Sequence, residues 1–564
     1  MRVVILSFFV YFSSLTLLHA QTTYIPFDDD YYHIIDRYNI LNGEEGLLNT
    51  SIKPYNRAFA DSFSLKLSMQ QQTEADAFNW NFFEQDNWEA LPDRRIATMQ
   101  KNKPKWKNFY QFQNSFFSVY EPDFKLIVNP VLGFASGQQD VGDSNINLYQ
   151  STRGAEIRGS IGNKIGFYTF VSENQFAYPN YQKEDIEATS VIQGAGYIKS
   201  FGNGGYDFFN ARGYITFKPI KQIQLQFGHD KNFIGNGYRS LILNDFAKEN
   251  LFLKFQTSVW RINYMNLFSE LTDFRSQSTV DGQNKKYAAL HYLNISIIPG
   301  KLDVGFFENI IFGRNDSTRS HGYEINYLNP IIFYRAVEHG LNSTDNALAG
   351  MDWRWNFAKG MQFYGQFLLD EFVQDELLAR EGSWRNKWAF QGGLKAINLF
   401  TIPNLDLQVE TNMVRPYTYT HYKEDQNYAH FGQPMAHPFG ANFREVLAIL
   451  RYQPIGRLNL TAKYFNIVQG LDSSRDATTT HFGGDIFKDY GNRPKDVGLK
   501  IGDGVKSTTQ IIELTASYQM MHRTYFDVRF IMRNSSRELP YTDRSSAMLL
   551  LGLRMNLAQQ KLDF

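Results

Sequence analysis

MLLLGLRMNL, residues 548–557, has a period of two: Leu549, Leu551, Leu553, Met555 and Leu557 fall on one face, and Gly552, Arg554 and Asn556 on the other. Successive side chains of a β-strand point to opposite sides, so this stretch has one apolar face and one that carries a cation and an amide. FDVRFIM (526–532) repeats the pattern, with Phe526, Val528, Phe530 and Met532 against Asp527, Arg529 and Ile531. So does QIQLQF (222–227), with Ile223, Leu225 and Phe227 against Gln222, Gln224 and Gln226. One such strand fits a soluble sandwich. A series with charged or amide-rich inner faces fits a barrel whose outside meets lipid and whose inside lines a wet lumen, where polar side chains keep hydrogen-bonding partners.

Composition agrees. Aromatic residues make up 16% of the chain, with 48 Phe and 33 Tyr, as the aromatic girdles of an outer-membrane barrel require. Beyond the N-terminus no run approaches the roughly 18 apolar residues of a spanning helix, and mean hydropathy is -0.39, which excludes a helical membrane protein. The absence of cysteine removes disulfides, thiolate metal sites and a lipidated N-terminal cysteine. Lys plus Arg equals Asp plus Glu at 57 each, so nothing points to nucleic acid. The opening MRVVILSFFVYFSSLTLLHAQ reads as a signal peptide over residues 1–20, with a small residue, Ala20, before the cut. The expected location is the outer membrane.

Tight-turn signals at 162–163, 218–221, 257–258, 299–300, 358–360, 401–404, 453–456 and near 522 divide the rest into about eight hairpins. With a strand before them and one after, the expectation is an all-β transmembrane antiparallel barrel of about 18 strands over residues 124–564, both ends on one side. Connections on the other side are long: 175–205, 231–249, 267–285, 314–344, 414–441 and 469–507. Short periplasmic turns and long extracellular loops are the usual asymmetry of such barrels. Residues 21–123, with FDDDYY, SIKPYNR, a helix-compatible stretch over 58–72 and the aromatic, basic KPKWKNFYQF, read as a small, partly helical periplasmic region or partial plug.

FIGNGYRSLILND (233–245), with Gly235, Gly237, Ser240, Leu241, Leu243 and Asn244, resembles the G-x-G-x-x-S-L-I-L-S/N signature of the Wzi-type capsule-assembly barrels. NPIIFYRAVEHG, DNALAGMDWRW and YGQFLLDE resemble the blocks that follow it, and SIKPYNR, RPYTYTH and AHPFGANF resemble the RemB-like, gliding-motility branch. The resemblance implies an outer-membrane barrel with a periplasmic helical region, a filled polar lumen and a role in holding or assembling surface polysaccharide. For the RemB-like branch it also implies motility or adhesion proteins as partners. Asn244 departs from the frequent serine and puts a hydroxyl-specific role in doubt.

On the strand DNALAGMDWRW, Asp352 and Arg354 share one face, and Gln362, Tyr364 and Gln366 of MQFYGQFLLDE would meet them in the lumen. Arg239 is expected to reach a lumenal carboxylate. Asp370 and Glu371 are adjacent strand residues and point to opposite sides, so they cannot flank one sugar bond. GNGYRS lacks the lysine and the following helix of a phosphate loop.

The loop RPYTYTHYKEDQNYAHFGQPMAHPFGAN (415–442) carries Arg415, Tyr417, Tyr419, His421, Tyr422, Tyr428, His430 and His437. Aromatic faces stack on sugar rings while guanidinium and amide groups take hydroxyls and acidic substituents, which suits a glycan-binding mouth. The same tyrosines suit a loop folded inward as a plug or lying in the interfacial belt, and both readings remain open. The three histidines lack the H-x-H or H-x-x-x-H spacing that presets a metal geometry, and the aspartate-rich LDSSRDATTTHFGGDIFKDY and KDVGLKIGDG lack calcium-loop spacing. No cofactor, metal or catalytic set is expected. The partners expected are the lipid bilayer and surface polysaccharide. A small-solute channel and a scaffold for a surface protein are the alternatives.

Overall fold

The computed structural model describes residues 23–43, 49–69, 72–99, 108–142, 144–162, 164–202, 204–273, 284–313, 322–333, 345–371, 373–474, 479–539 and 541–564. The expected signal peptide, Asn163 of the first turn and parts of the 267–285 and 314–344 loops lie outside them. Eighteen antiparallel strands close into a barrel. They are β1 Phe124–Val141, β2 Ser144–Ile161, β3 Ile165–Ala177, β4 Gly205–Ile220, β5 Ile223–Asp230, β6 Asn250–Val259, β7 Ile262–Asp273, β8 Asn284–Ile298 and β9 Leu302–Phe312. The circuit continues through β10 Asn346–Ala358, β11 Met361–Glu371, β12 Lys387–Ala396, β13 Leu405–Val414, β14 Phe443–Ile455, β15 Leu458–Leu471, β16 Val505–Met521, β17 Thr524–Arg537 and β18 Arg544–Met555. β18 returns to β1, with Leu551 opposite Ser136 and Met555 opposite Leu132. Closure leaves no unpaired edge, the condition for a sheet to cross lipid.

The two-residue period sorts side chains as the sequence predicts. Leu549, Leu551 and Leu553 are 49%, 48% and 45% exposed on the outer wall, while Met548, Leu550 and Arg554 are buried inside. Phe526 and Phe530 face out while Asp527, Arg529 and Ile531 are buried, and Phe227 faces out beside buried Gln226. Leu557 departs from the expected outer face. Asn556 takes a left-handed φ of 52°, ends the strand, and turns Leu557 inward against Val131 and Tyr168.

At one end the strands join through tight turns: Lys221–Gln222, Lys359–Gly360, Gly456–Arg457 and His522–Arg523. The turn expected at 257–258 instead falls at Trp260–Arg261, because Ser258 and Val259 still pair with Asn263 and Ile262. At the other end the connections 178–204, 231–249, 313–345, 415–442 and 472–504 are long. The 267–285 loop shrinks to 274–283 because β7 and β8 stay paired as far as Asp273 and Asn284. A long 372–386 connection, absent from the sequence reading, lies between β11 and β12.

The N-terminal region forms helices α1 Asp29–Asn42, α2 Ala60–Ser68, α3 Glu74–Asp86 and α4 Asp93–Met99. The Asp28 carboxylate caps α1 by accepting from the Asp30 and Tyr31 amides, and Thr73 and Asp76 form a capping box on α3. Buried charges dock these helices on the tight-turn end. Lys395 Nζ lies 2.6 Å from Asp36, His33 Nε2 lies 2.9 Å from Asp406, and Arg158 Nε lies 2.7 Å from Glu89. Phe78 sits against the Gly456 backbone, where a Cβ would come within 2.6 Å of it. Between α1 and α2 the chain enters the lumen, where Ile52 and Lys53 pair with Ile234 and Phe233.

Lumen-facing side chains change character along the barrel. Towards the tight turns they are polar: Asp406, Gln408, Glu410 and Asn412 on β13, and Gln362, Tyr364 and Gln366 on β11. Near the loops Leu348, Leu368, Ala389 and Val414 form an apolar layer with Leu241, Ile242, Tyr419 and Tyr428 from the inserted segments. The lumen therefore carries a hydrophobic core of its own above a polar layer.

Candidate functional site

The 231–249 segment leaves β5, enters the lumen and is held there by the barrel wall. Gly235, with φ of 129°, donates its amide to the Ser51 carbonyl at 2.7 Å. Gly237 approaches the wall so closely that a Cβ would meet the Glu410 carboxylate at 2.6 Å and the Gln391 amide oxygen at 2.8 Å. The Ser240 hydroxyl donates to the Ile234 carbonyl and accepts from the Ile242 and Leu243 amides, which folds the segment back on itself. Gln366 clamps both limbs: its Nε2 donates to the Ile234 carbonyl at 2.9 Å and its Oε1 accepts the Leu241 amide at 2.7 Å. The Asn244 side-chain oxygen accepts the Asp245 amide at 2.8 Å.

Arg239 does reach lumenal carboxylates. Its guanidinium lies 3.5 Å from Glu445 and 3.5 Å from Asp563 and donates to the Asp563 carbonyl at 2.8 Å. Glu410 accepts the Tyr238 and Arg239 amides at 2.7 and 3.1 Å and the Tyr364 hydroxyl at 2.9 Å. Residues 556–564 turn back into the lumen to deliver Asp563. Burial pushes its carboxyl up, but Arg239, Lys463 and Lys561 outweigh burial and hold it at about 2. Asp352 sits opposite Gln366 and Arg354 opposite Tyr364. Asp352 accepts from Tyr292, Arg354 pairs with Asp303 and donates to Thr50 at 2.9 Å, and Gln362 donates to Asn356 at 2.9 Å. The sequence brought these groups to one surface; their charge partners come from β8 and β9 and from the inserted N-terminal segment.

The 415–442 segment folds inward. Tyr419 and Tyr428 donate their hydroxyls to the Leu241 and Ile242 carbonyls at 2.8 and 2.6 Å, and Tyr417 donates to the His481 carbonyl at 2.7 Å. Tyr417 and Tyr419 hold left-handed φ values of 66° and 72°, which the surrounding contacts must support. The three imidazoles take three unrelated partners. His430 accepts the Thr272 amide at Nδ1 and faces the Glu249 carbonyl with Nε2, and burial pushes it down to about 3. His437 Nε2 lies 2.8 Å from Glu445; burial lowers its pKa, and Glu445 offsets only part of that. His421 accepts the Lys423 amide. Among the described residues no group of three or more His, Asp or Glu is arranged to hold a metal.

Of the eight residues proposed to meet a glycan, Tyr417, Tyr419, Tyr428, His430 and His437 are buried, and Arg415 and His421 are half-buried. Only Tyr422 is exposed, with its ring 4.6 Å from His421. The inward-folded plug is the arrangement observed, because the Tyr419 and Tyr428 hydroxyls find their acceptors on the 231–249 segment.

Two cavities of roughly 300 Å³ lie among the described residues. One, of about 310 Å³, lies in the lumen among Phe170, Asn174, Arg212, Asp245, Lys561 and Phe564. The other, of about 290 Å³, lies at the loop end among helix α5 (Asn180–Thr189), the ends of β15 to β18 and the 472–504 loop. Arg533, Arg537 and Arg544 line the second cavity. The sequence reading passed over them, although their spacing on β17 and β18 places them on the inner face.

An apolar outer wall, tight turns opposite long loops and a lumen occupied by the chain itself define an outer-membrane-type β-barrel whose interior is a packed scaffold. The chain belongs to the family of capsule assembly protein Wzi, whose pattern matches residues 144–542. Among solved structures it is similar to Wzi of Escherichia coli, an outer membrane protein involved in group 1 capsule assembly and described as a carbohydrate-binding β-barrel. Identity is 14%, the TM-score is 0.55, and 94% of this chain and 99% of that one are covered. It is also similar to OprD of Pseudomonas aeruginosa (10% identity, TM-score 0.40, 76% and 95% covered) and to OccK1 of the same organism (11%, 0.41, 78% and 100%). No curated protein matches the chain.

Proposed function

We propose that this barrel sits in the outer membrane, binds surface polysaccharide at its loop end and takes part in capsule or exopolysaccharide assembly. Membership of the Wzi family carries this reading. The similar E. coli protein is described as carbohydrate-binding, and the filled lumen favours a scaffold over a diffusion channel. The chain acts by binding, with no chemistry on the polymer. Detergent-purified protein should retain the organism's surface polysaccharide without shortening it, and a deletion strain should shed that polymer into the medium. Normal retention of polymer in the deletion strain, with no binding in vitro, overturns the proposal.

The finer reading is that the protein is RemB-like and couples surface polymer to gliding and adhesion proteins. SIKPYNR, RPYTYTH and AHPFGANF support it. The deletion strain should then lose surface spreading, and cross-linking on intact cells should recover motility or adhesion proteins. The leader is proposed to be removed after Ala20, which N-terminal sequencing of the membrane form checks.

A further inference from the structure

We propose that the loop-end cavity binds an acidic sugar, with the sugar carboxylate on Arg533; this rests on the polysaccharide-binding reading and specifies the chemistry of the polymer. Arg533 is 8% exposed, and its guanidinium lies 4.5 Å from the centroid of the Tyr181 ring. Its Nε is buried without a hydrogen-bonding partner, and no carboxylate of the described residues forms an ion pair with it or with Arg537. A buried guanidinium without an ion-paired anion is unfavourable, because a charge at longer range offsets only part of its desolvation. An incoming carboxylate supplies that partner, and the planar fork of arginine matches it in two-point contact.

Three of the four carboxylates in the cavity are engaged elsewhere. Glu184 pairs with Arg544, Asp472 lies 2.9 Å from Lys488 and accepts the Phe482 amide, and Asp485 accepts the Phe487 amide at 3.0 Å. Asp185, on α5, faces the same space, and its charge acts on Arg533 without forming an ion pair. Arg537 lies four residues along β17 on the same face and is half-buried, so it adds positive charge towards the outer edge. Phe439, Ile467 and Phe564 supply an apolar surface for the ring face of the sugar. At about 290 Å³ the cavity is at the lower end of ligand-site volumes, which suits one or two sugar units rather than a long stretch of chain.

The test is titration of the full-length, detergent-purified protein with tetragalacturonate, a neutral galactose tetramer, inorganic phosphate and the organism's purified surface polysaccharide. The wild type should prefer the uronate to the neutral tetramer, and added salt should weaken the preference. Arg533→Gln should weaken uronate binding roughly tenfold or more and so remove most of the preference over the neutral tetramer, with Arg533→Lys intermediate. Heat-modifiable migration of each variant confirms that it has folded. Equal uronate binding by wild type and folded Arg533→Gln overturns the site while leaving the polysaccharide reading intact. Phosphate competing as strongly as uronate reduces the site to a general anion hole and overturns the sugar assignment. Failure of the wild type to bind any saccharide overturns the site, and with normal polymer retention in the deletion strain it overturns the polysaccharide reading as well.

Discussion

The wall of this barrel and the material inside it are stabilised in different ways. On β18 the outward residues Leu549, Leu551 and Leu553 need only be apolar, and each is specified by its parity along the strand. Arg239 depends on partners distant in sequence: Glu445 on β14 and Asp563 in the C-terminal tail. The wall is a local pattern repeated eighteen times. The interior is a set of particular long-range contacts, each with few substitutes.

That contrast is open to measurement. The largest effect is expected inside. Arg239→Ala removes the guanidinium shared by buried Glu445 and Asp563, leaving Asp563 only the lysines Lys463 and Lys561, and should cost about 3–5 kcal/mol, read as a lower midpoint of chemical unfolding in detergent or lipid. A change similar to that of a surface position would show the lumen to be wetter than its burial indicates. Next, Leu551→Arg near the middle of β18 should cost about 2–4 kcal/mol in bilayers, and much less if this wall does not face hydrocarbon.

Third is the pH response. Folded His430 is held down to about 3 by burial, whereas in the unfolded chain it titrates near 6.5. Its contribution is therefore complete above pH 6.5 and is lost as pH falls from 6.5 towards 3, because only the unfolded chain takes up the proton. The steepest loss is about 1.4 kcal/mol per pH unit. Unfolding midpoints between pH 7.5 and 5 should fall accordingly, and His430→Gln should flatten the slope. The smallest effect is expected for Tyr422→Ala, which should change stability by no more than about 0.5 kcal/mol. A larger loss would mean that the exposed ring supports the inner plug.

The barrel could be read from the sequence, turn by turn, because lipid exposure and strand parity act over two residues. The errors fall where that rule ends. The sequence signals a turn at Thr257–Ser258 where the structure has Trp260–Arg261, and a loop where β7 and β8 still pair, because polar side chains on a strand near the membrane edge look like those of a connection. Asp352, Arg354, Gln362, Tyr364 and Gln366 were placed correctly on the inner face, yet their partners were not visible. Tyr292 and Asp303 meet them only through neighbouring strands, and Thr50 only because the N-terminal segment is threaded into the lumen.

The 415–442 segment shows the same division. Its tyrosines and histidines signalled either sugar contact or an inward plug, and composition could not choose between them. The choice depended on carbonyls at Leu241 and Ile242, about 180 residues away in sequence, which accept the Tyr419 and Tyr428 hydroxyls. Turn signals were enough for strand number and periodicity for wall and inner face, since each strand carries its own side-chain alternation. Which side chains are sealed, which charges are paired and which arginine is left without an anion were settled only when distant segments shared one lumen, because pairing energies there depend on burial and geometry that no local pattern encodes.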